Sequence, residues 1–299
     1  MSIIERALGK HRSASVPGRE PVHQVRTRRP RDLVISVAGP SKPRHEPRAS
    51  IELDLDHLRA EGVLPPAGAA ADRVQEQVRR IKWPLLETAV GPIGSTEAPQ
   101  ANRVMVTSAI AGEGKTYVSY NLALGIAREK DYSVLLVDAD VAKRHLSTAL
   151  KVQDRPGITD SAADDNLDPE EFVLGTGIPG LLFMPAGSRT SVAPELFASQ
   201  RMAQVVTRLG QADRQRIILF DTSPLLATNE SVVLARLIDQ VVVVVRAEVT
   251  PQPAVLEAVA LLDKTKTIRC LLNQTRLNSL SEHYYYGYGY YPNERPKEP

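Results

Sequence analysis

The sequence predicts an α/β fold, a mostly parallel sheet flanked by helices, and three observations carry that expectation. From Arg103 onward short apolar runs alternate with helical stretches, the pattern of repeated strand–helix–strand units. One of those runs, Val104–Ser108, enters a glycine-rich turn that opens a helix. Two others end on aspartates, where an open parallel sheet gathers its ligands.

Strands are expected at Val104–Ser108, Ser133–Asp138, Leu181–Pro185, Arg216–Asp221, Gln240–Arg246 and Arg269–Asn273. Helices are expected between them at Lys115–Glu129, Pro194–Gly210, Glu230–Leu237 and Pro251–Lys264, with Thr250-Pro251 reading as a helix cap and first-turn proline. Cys270, the single cysteine, sits in an apolar run and reads as a buried strand residue, so no disulfide framework exists.

Ahead of this region the texture differs. Residues 1–50 hold 11 Lys or Arg against 4 Asp or Glu, a balance of +7, which leaves −5 for the rest of a chain whose net charge is +2. Half of the 22 prolines, 11, fall within residues 1–100, so most of that region reads as linker. Two stretches inside it carry helical spacing: Ser2–Arg12, with Ile3, Ile4, Ala7 and Leu8 on one face, and Asp72–Leu86, with Val74, Val78, Ile81 and Leu85. Each suits docking or self-association, or packing on its own domain. The organisation expected is a basic, proline-rich arm over 1–70 with a short N-terminal helix, a helical lead-in over 71–100, a catalytic domain over 101–282 and a tail over 283–299. No apolar run approaches the roughly 18 to 20 residues that cross a bilayer, and the start lacks the apolar core of a secretory signal. A cytoplasmic location is therefore expected.

The chemistry begins at Ala109-Ile110-Ala111-Gly112-Glu113-Gly114-Lys115-Thr116, placed between a strand and a helix. Glycines let the backbone curl until successive N–H groups face one anion, and the helix adds the positive end of its dipole. The stretch Ala111, Gly112, Glu113, Gly114, Lys115, Thr116 and Tyr117 is thus expected to hold a nucleotide, with Lys115 on the outer phosphates and the Thr116 hydroxyl on Mg²⁺. The fold class sharpens to a P-loop NTPase-like one. Leu135-Leu136-Val137-Asp138-Ala139-Asp140 and Ile217-Ile218-Leu219-Phe220-Asp221 end their strands on carboxylates. Asp138, Asp140 and Asp221 should converge on the loop, as metal ligands and as the group that takes the nucleophile's proton. A strand-end aspartate can also simply cap the next helix. Asn273, ending the last strand, could hydrogen-bond an adenine edge or make a turn.

Six of the nine tyrosines, Tyr284, Tyr285, Tyr286, Tyr288, Tyr290 and Tyr291, follow the last expected element among glycines and a proline. That segment is expected to be exposed and mobile. Its phenols would be phosphate acceptors, each phosphate adding about −1.5 to −2 charge. A stacking or low-complexity tail is the plainer reading of the cluster by itself.

Taken together these residues resemble the bacterial tyrosine kinases of exopolysaccharide and capsule synthesis, and most of all the autokinases associated with exosortase-linked polysaccharide operons. The resemblance runs from about Asp72 to Tyr291. It implies a Walker A motif at Ala109–Thr116, a Walker A′ motif at Asp138-Ala139-Asp140 and a Walker B motif at Asp221-Thr222. By resemblance Lys115, Asp138, Asp140 and Asp221 are the catalytic set, with Asp138 activating the tyrosine hydroxyl. Thr116 and the three aspartates organise Mg²⁺, ATP is the phosphoryl donor, and the tail is phosphorylated in trans. The family's Glu-x-x-Arg-x-x-Arg oligomerisation element is matched by Glu76, Arg79 and Lys82, where Lys keeps charge but loses the bidentate fork. A homo-oligomer, an inner-membrane chain-length determinant or co-polymerase as activator, and a cognate tyrosine phosphatase are implied partners, and no nucleic acid is. The kinase would then sit peripherally at the inner membrane through its partner. Departures include Ala111 and Ser223 where prolines are usual and Ala142 where an arginine is usual. Two other readings remain: a partitioning or MinD-like ATPase of the same fold, whose signature lysine is replaced here by Ile110, and a nucleotide-dependent scaffold without catalysis.

Overall fold

A computed structural model describes residues 47, 49–91, 101–213 and 215–275. Eight strands form one sheet in the order β1 (Ala49–Ser50), β4 (Leu174–Gly175), β5 (Leu181–Met184), β3 (Ser133–Ala139), β6 (Arg216–Thr222), β2 (Arg103–Ser108), β7 (Gln240–Arg246) and β8 (Thr267–Asn273). Only β4 and β5 pair antiparallel; every other neighbouring pair is parallel. The six strands expected from sequence are all present, with ends within two residues of the expected ones. They could be read because a parallel sheet covered on both faces needs uninterrupted apolar runs.

Nine helices complete the described residues: α1 (Leu55–Ala60), α2 (Ala69–Val90), α3 (Lys115–Ala127), α4 (His145–Ala149), α5 (Ile158–Ala163), α6 (Ala193–Phe197), α7 (Gln200–Gln211), α8 (Asn229–Ala235) and α9 (Gln252–Ala260). Alternate strand residues feed two cores. On one face Val104, Leu136, Leu219 and Val244 pack with Leu58 of α1, Val78 and Leu85 of α2, and Leu122 and Ile126 of α3. On the other, Met105, Leu135, Phe220 and Val243 pack with Ile158, Val206, Leu234 and Ala258 of α5, α7, α8 and α9. The first face carries Asp138 and Asp221, which fall in step with its apolar residues, and α3 crosses it.

Helix α2 lies close on α3. A methyl group added at Gly125 would meet the Val78 Cγ1 at 2.2 Å, so the glycine permits the close approach. Lys82 completes the seam, donating to the Gly125 carbonyl at 2.9 Å and to the Glu129 carboxylate.

Several expectations need correction. Residues 49–68, assigned to the arm, contribute β1 and α1, and Leu58 and Val63 are buried in the core. The helix expected over Pro194–Gly210 is two, α6 and α7; Ser199 intervenes and caps α7 by accepting the Met202 N–H at 3.0 Å. Thr250 does not cap α9: Pro251 occupies that position and the Thr250 hydroxyl turns to Glu113. Cys270 is exposed, because β8 is an edge strand and the helices do not cover it there. The helix expected at Ser2–Arg12 and the tyrosine cluster at Tyr284–Tyr291 lie outside the described residues.

Candidate active site

The turn between β2 and α3 is shaped by two glycines. Gly112 and Gly114 have φ of 85° and 89°, a region that side chains with a Cβ rarely enter. A Cβ on Gly114 would also meet the Asn273 amide nitrogen at 2.1 Å. Val118 is the first residue of α3 whose N–H bonds back, to the Gly114 carbonyl at 3.0 Å. The N–H groups of Lys115, Thr116 and Tyr117 precede it, at the end of the helix that carries partial positive charge. Lys115 itself is buried. Burial lowers its pKa, opposed by the charges of Asp221 and Asp140.

Strand register brings the carboxylates together. Asp138 of β3 is paired directly with Asp221 of β6, and Asp221 with Val106 of β2 in turn. Side chains on parallel neighbours in register share a face, so both aspartates point to the face that α3 covers. There Asp221 accepts from the Thr116 hydroxyl at 2.9 Å on one oxygen and from the Ser119 hydroxyl at 2.9 Å on the other. Asp140, two residues beyond Asp138, accepts from the Ser223 hydroxyl at 2.7 Å and from the Lys143 N–H at 3.3 Å.

Ser147 grips one oxygen of Asp138. Its Oδ2 accepts from the Ser147 N–H at 2.8 Å and the Ser147 hydroxyl at 2.6 Å, and Ser147 Oγ in turn accepts from the Ala186 N–H at 3.0 Å. Its Oδ1 is buried without a hydrogen-bond partner. Burial, against the opposing bonds from Ser147, pushes the Asp138 pKa up to about 6. Burial and then the neighbouring charge of Asp138 push Asp221 up to about 7.

This donor set fits a hard divalent cation. Two buried carboxylates crowded side by side and a threonine hydroxyl are oxygen ligands of the kind Mg²⁺ takes. Among the described residues no three His, Cys, Asp or Glu side chains form a metal cage by themselves.

The structure thus brings Lys115, Thr116, Asp138, Asp140 and Asp221 to one place. It distributes the other expected residues differently. The half-buried Tyr117 packs against the apolar core, so its backbone rather than its ring is available to an anion. Asn273 is turned onto the loop, its Nδ2 donating to the Glu113 carbonyl at 2.9 Å. Lys82 is buried between α2 and α3, its side chain 6% exposed against 67% for Arg79, so Lys82 serves the domain's own packing. Glu76 and Arg79 remain on the surface, paired at 3.3 Å. Sequence reasoning missed Ser119, Ser147 and the side-chain role of Glu113. Ser119 carried a faint signal, one turn beyond Lys115 on the same face of α3. Ser147 carried none, being placed by the fold alone.

No protein-family model matches the chain. Tyrosine-protein kinase YwqD of Bacillus subtilis is 30% identical over 190 residues, which span 63% of this chain and 78% of that protein. The chain belongs to the bacterial tyrosine kinase family. Tyrosine-protein kinase etk of Escherichia coli is 27% identical over 182 residues, 60% of this chain but 23% of its relative, so the chain spans about a quarter of that longer protein. Among solved structures, the kinase domain of E. coli tyrosine kinase ETK covers 77% of this chain and 90% of its own, with a TM-score of 0.61 at 23% identity. The VpsO kinase domain covers 71% and 100%, with a TM-score of 0.56 at 27% identity. As a bacterial tyrosine kinase the chain is a nucleotide-binding protein. No helix among the described residues is long and apolar enough to cross a membrane.

Proposed function

We propose that the chain is an ATP- and Mg²⁺-dependent protein tyrosine autokinase that regulates exopolysaccharide or capsule synthesis and phosphorylates its own C-terminal tyrosine cluster in trans. The observation that carries this reading is the unpartnered, buried Oδ1 of Asp138, whose strand neighbour Asp221 bonds the P-loop's Thr116. With Oδ2 held by Ser147, Oδ1 is the oxygen free to accept a phenol proton. A carboxylate whose pKa is about 6 can take a proton near neutral pH and still be ionised beforehand. The loop N–H groups and Lys115 cradle the phosphates, stabilising charge where it develops. Thr116 and Asp221, with Asp140, would hold Mg²⁺, which when bound supplies compensating charge to the phosphate oxygens.

Supporting the acceptor assignment, β8 ends at Asn273 against the P-loop, and the tyrosine cluster follows it in the sequence. Exposed Glu76 and Arg79 are the surface offered to a neighbouring copy. An inner-membrane co-polymerase as activator, a cognate phosphatase and a peripheral position at the cytoplasmic side of the inner membrane belong to the same reading.

Incubating the purified chain with γ-labelled Mg-ATP tests it. Label on tyrosine in the wild type, falling at least about a hundredfold in Lys115→Ala, is the expected result. Release of labelled inorganic phosphate with no phosphotyrosine would favour an ATPase instead.

A further inference from the structure

Glu113 lies between the two positive-φ glycines of the turn. Glu113 is 1% exposed, and a carboxylate that deep is costly unless donors satisfy it. Its Oε2 accepts from the Ile110 N–H at 2.8 Å. Its Oε1 accepts from the Arg246 N–H at 3.2 Å and from the Thr250 hydroxyl. Its backbone carbonyl accepts from Asn273 Nδ2 at 2.9 Å.

These partners come from three separate parts of the chain. Ile110 belongs to the loop itself, Arg246 and Thr250 bracket the turn from β7 to α9, and Asn273 ends β8. The turn also contains Glu248 with φ of 61°, another sparsely populated conformation. A loop that needs only to curl has no use for a buried carboxyl group between Gly112 and Gly114. Glycine on both sides gives the segment more backbone freedom than other residues would, and fixing that freedom before an anion arrives is a direct route to tighter binding.

We infer that Glu113 is a positioning residue whose carboxylate locks the P-loop in its anion-receiving shape and ties that shape to the Arg246–Thr250 turn, so that the loop and the start of α9 open together. The inference rests on the P-loop being the ATP site of the proposed kinase, and it adds a route by which a change at the β7–α9 turn alters nucleotide affinity.

Two readouts on the full chain test it. In the nucleotide-free protein, Glu113→Ala should speed hydrogen exchange over residues 109–117 and 246–252 together, with the rest of the sheet unchanged. With a fluorescent ATP analogue and Mg²⁺, Glu113→Ala should weaken binding about tenfold and Thr250→Val about threefold, and the double variant should bind no worse than Glu113→Ala. Glu113→Gln, which keeps an acceptor oxygen, should fall between wild type and Glu113→Ala. In steady state the KM for ATP should rise while kcat on tyrosine changes less than about threefold, which a general loss of stability would not produce. Wild-type affinity in a folded Glu113→Ala chain, additive effects in the double variant, or faster exchange in the loop without the turn would overturn the inference. If Glu113→Ala does not fold, Thr250→Val decides the coupling through the same exchange pattern. A wild-type chain that binds no nucleotide would overturn the kinase reading, and the exchange data would still decide whether loop and turn move as one.

Discussion

At the scale of single residues, the proposed role of Asp138 comes with a cost in stability. Its pKa is raised by burial from 3.8 in an unfolded chain to about 6 in the folded one. Between those values the folded state holds a proton that the unfolded state has lost, so the stabilising contribution is complete below about pH 4 and is lost as pH rises through about 6. The shift corresponds to about 3 kcal/mol at pH 8. Asp138→Asn removes the charge but keeps an oxygen for Ser147. Urea unfolding of the ligand-free protein should show this variant more stable than wild type at pH 8, by an amount that shrinks toward zero near pH 4; a difference independent of pH would contradict the assignment. The main site residues were legible because strand-end aspartates and a glycine–lysine turn announce themselves in one dimension. Ser147 and Ser119 were not, because a serine becomes a carboxylate's partner only once two distant segments meet. Ser223 was visible merely as a departure from the usual proline; the structure gives it a task, the hydrogen bond to Asp140.

At the scale of elements, α2 belongs to the domain more than its sequence suggested. Its helical spacing was readable, but the side of the helix on which each charge would fall was not, since that depends on where α3 lies. The motif of Glu76, Arg79 and Lys82 is split by the fold into two exposed residues and one buried one. Lys82→Ala leaves the Gly125 carbonyl and Glu129 without their cation and should destabilise the domain by about 2 kcal/mol, read from the denaturant midpoint. Arg79→Ala should change stability by less than about 0.5 kcal/mol, as an exposed pair does. If Lys82→Ala proved as neutral as Arg79→Ala, the seam between α2 and α3 would not be what holds the lead-in helix. The two-residue strands β1 and β4 and the short helix α1 escaped detection because such pieces are too brief to show a period; packing of Leu58 and Val63 fixes α1, and pairing from β1 to β4 and from β4 to β5 fixes the strands.

At the scale of the whole molecule, a sheet buried on both faces presents three carboxylates, a lysine and a helix start at the carboxyl ends of its strands, where β8 also ends, at Asn273. The nucleotide half of this arrangement is geometric. The acceptor half joins the sequence of the tail to the free oxygen of Asp138. One experiment tests their union most directly: mixing a Lys115→Ala chain that keeps all six tail tyrosines with a Lys115-containing chain in which Tyr284, Tyr285, Tyr286, Tyr288, Tyr290 and Tyr291 are all Phe, in the presence of γ-labelled Mg-ATP. Phosphotyrosine on the Lys115→Ala chain is the predicted result. Labelled inorganic phosphate as the sole product, with no phosphotyrosine on either chain, would contradict the account.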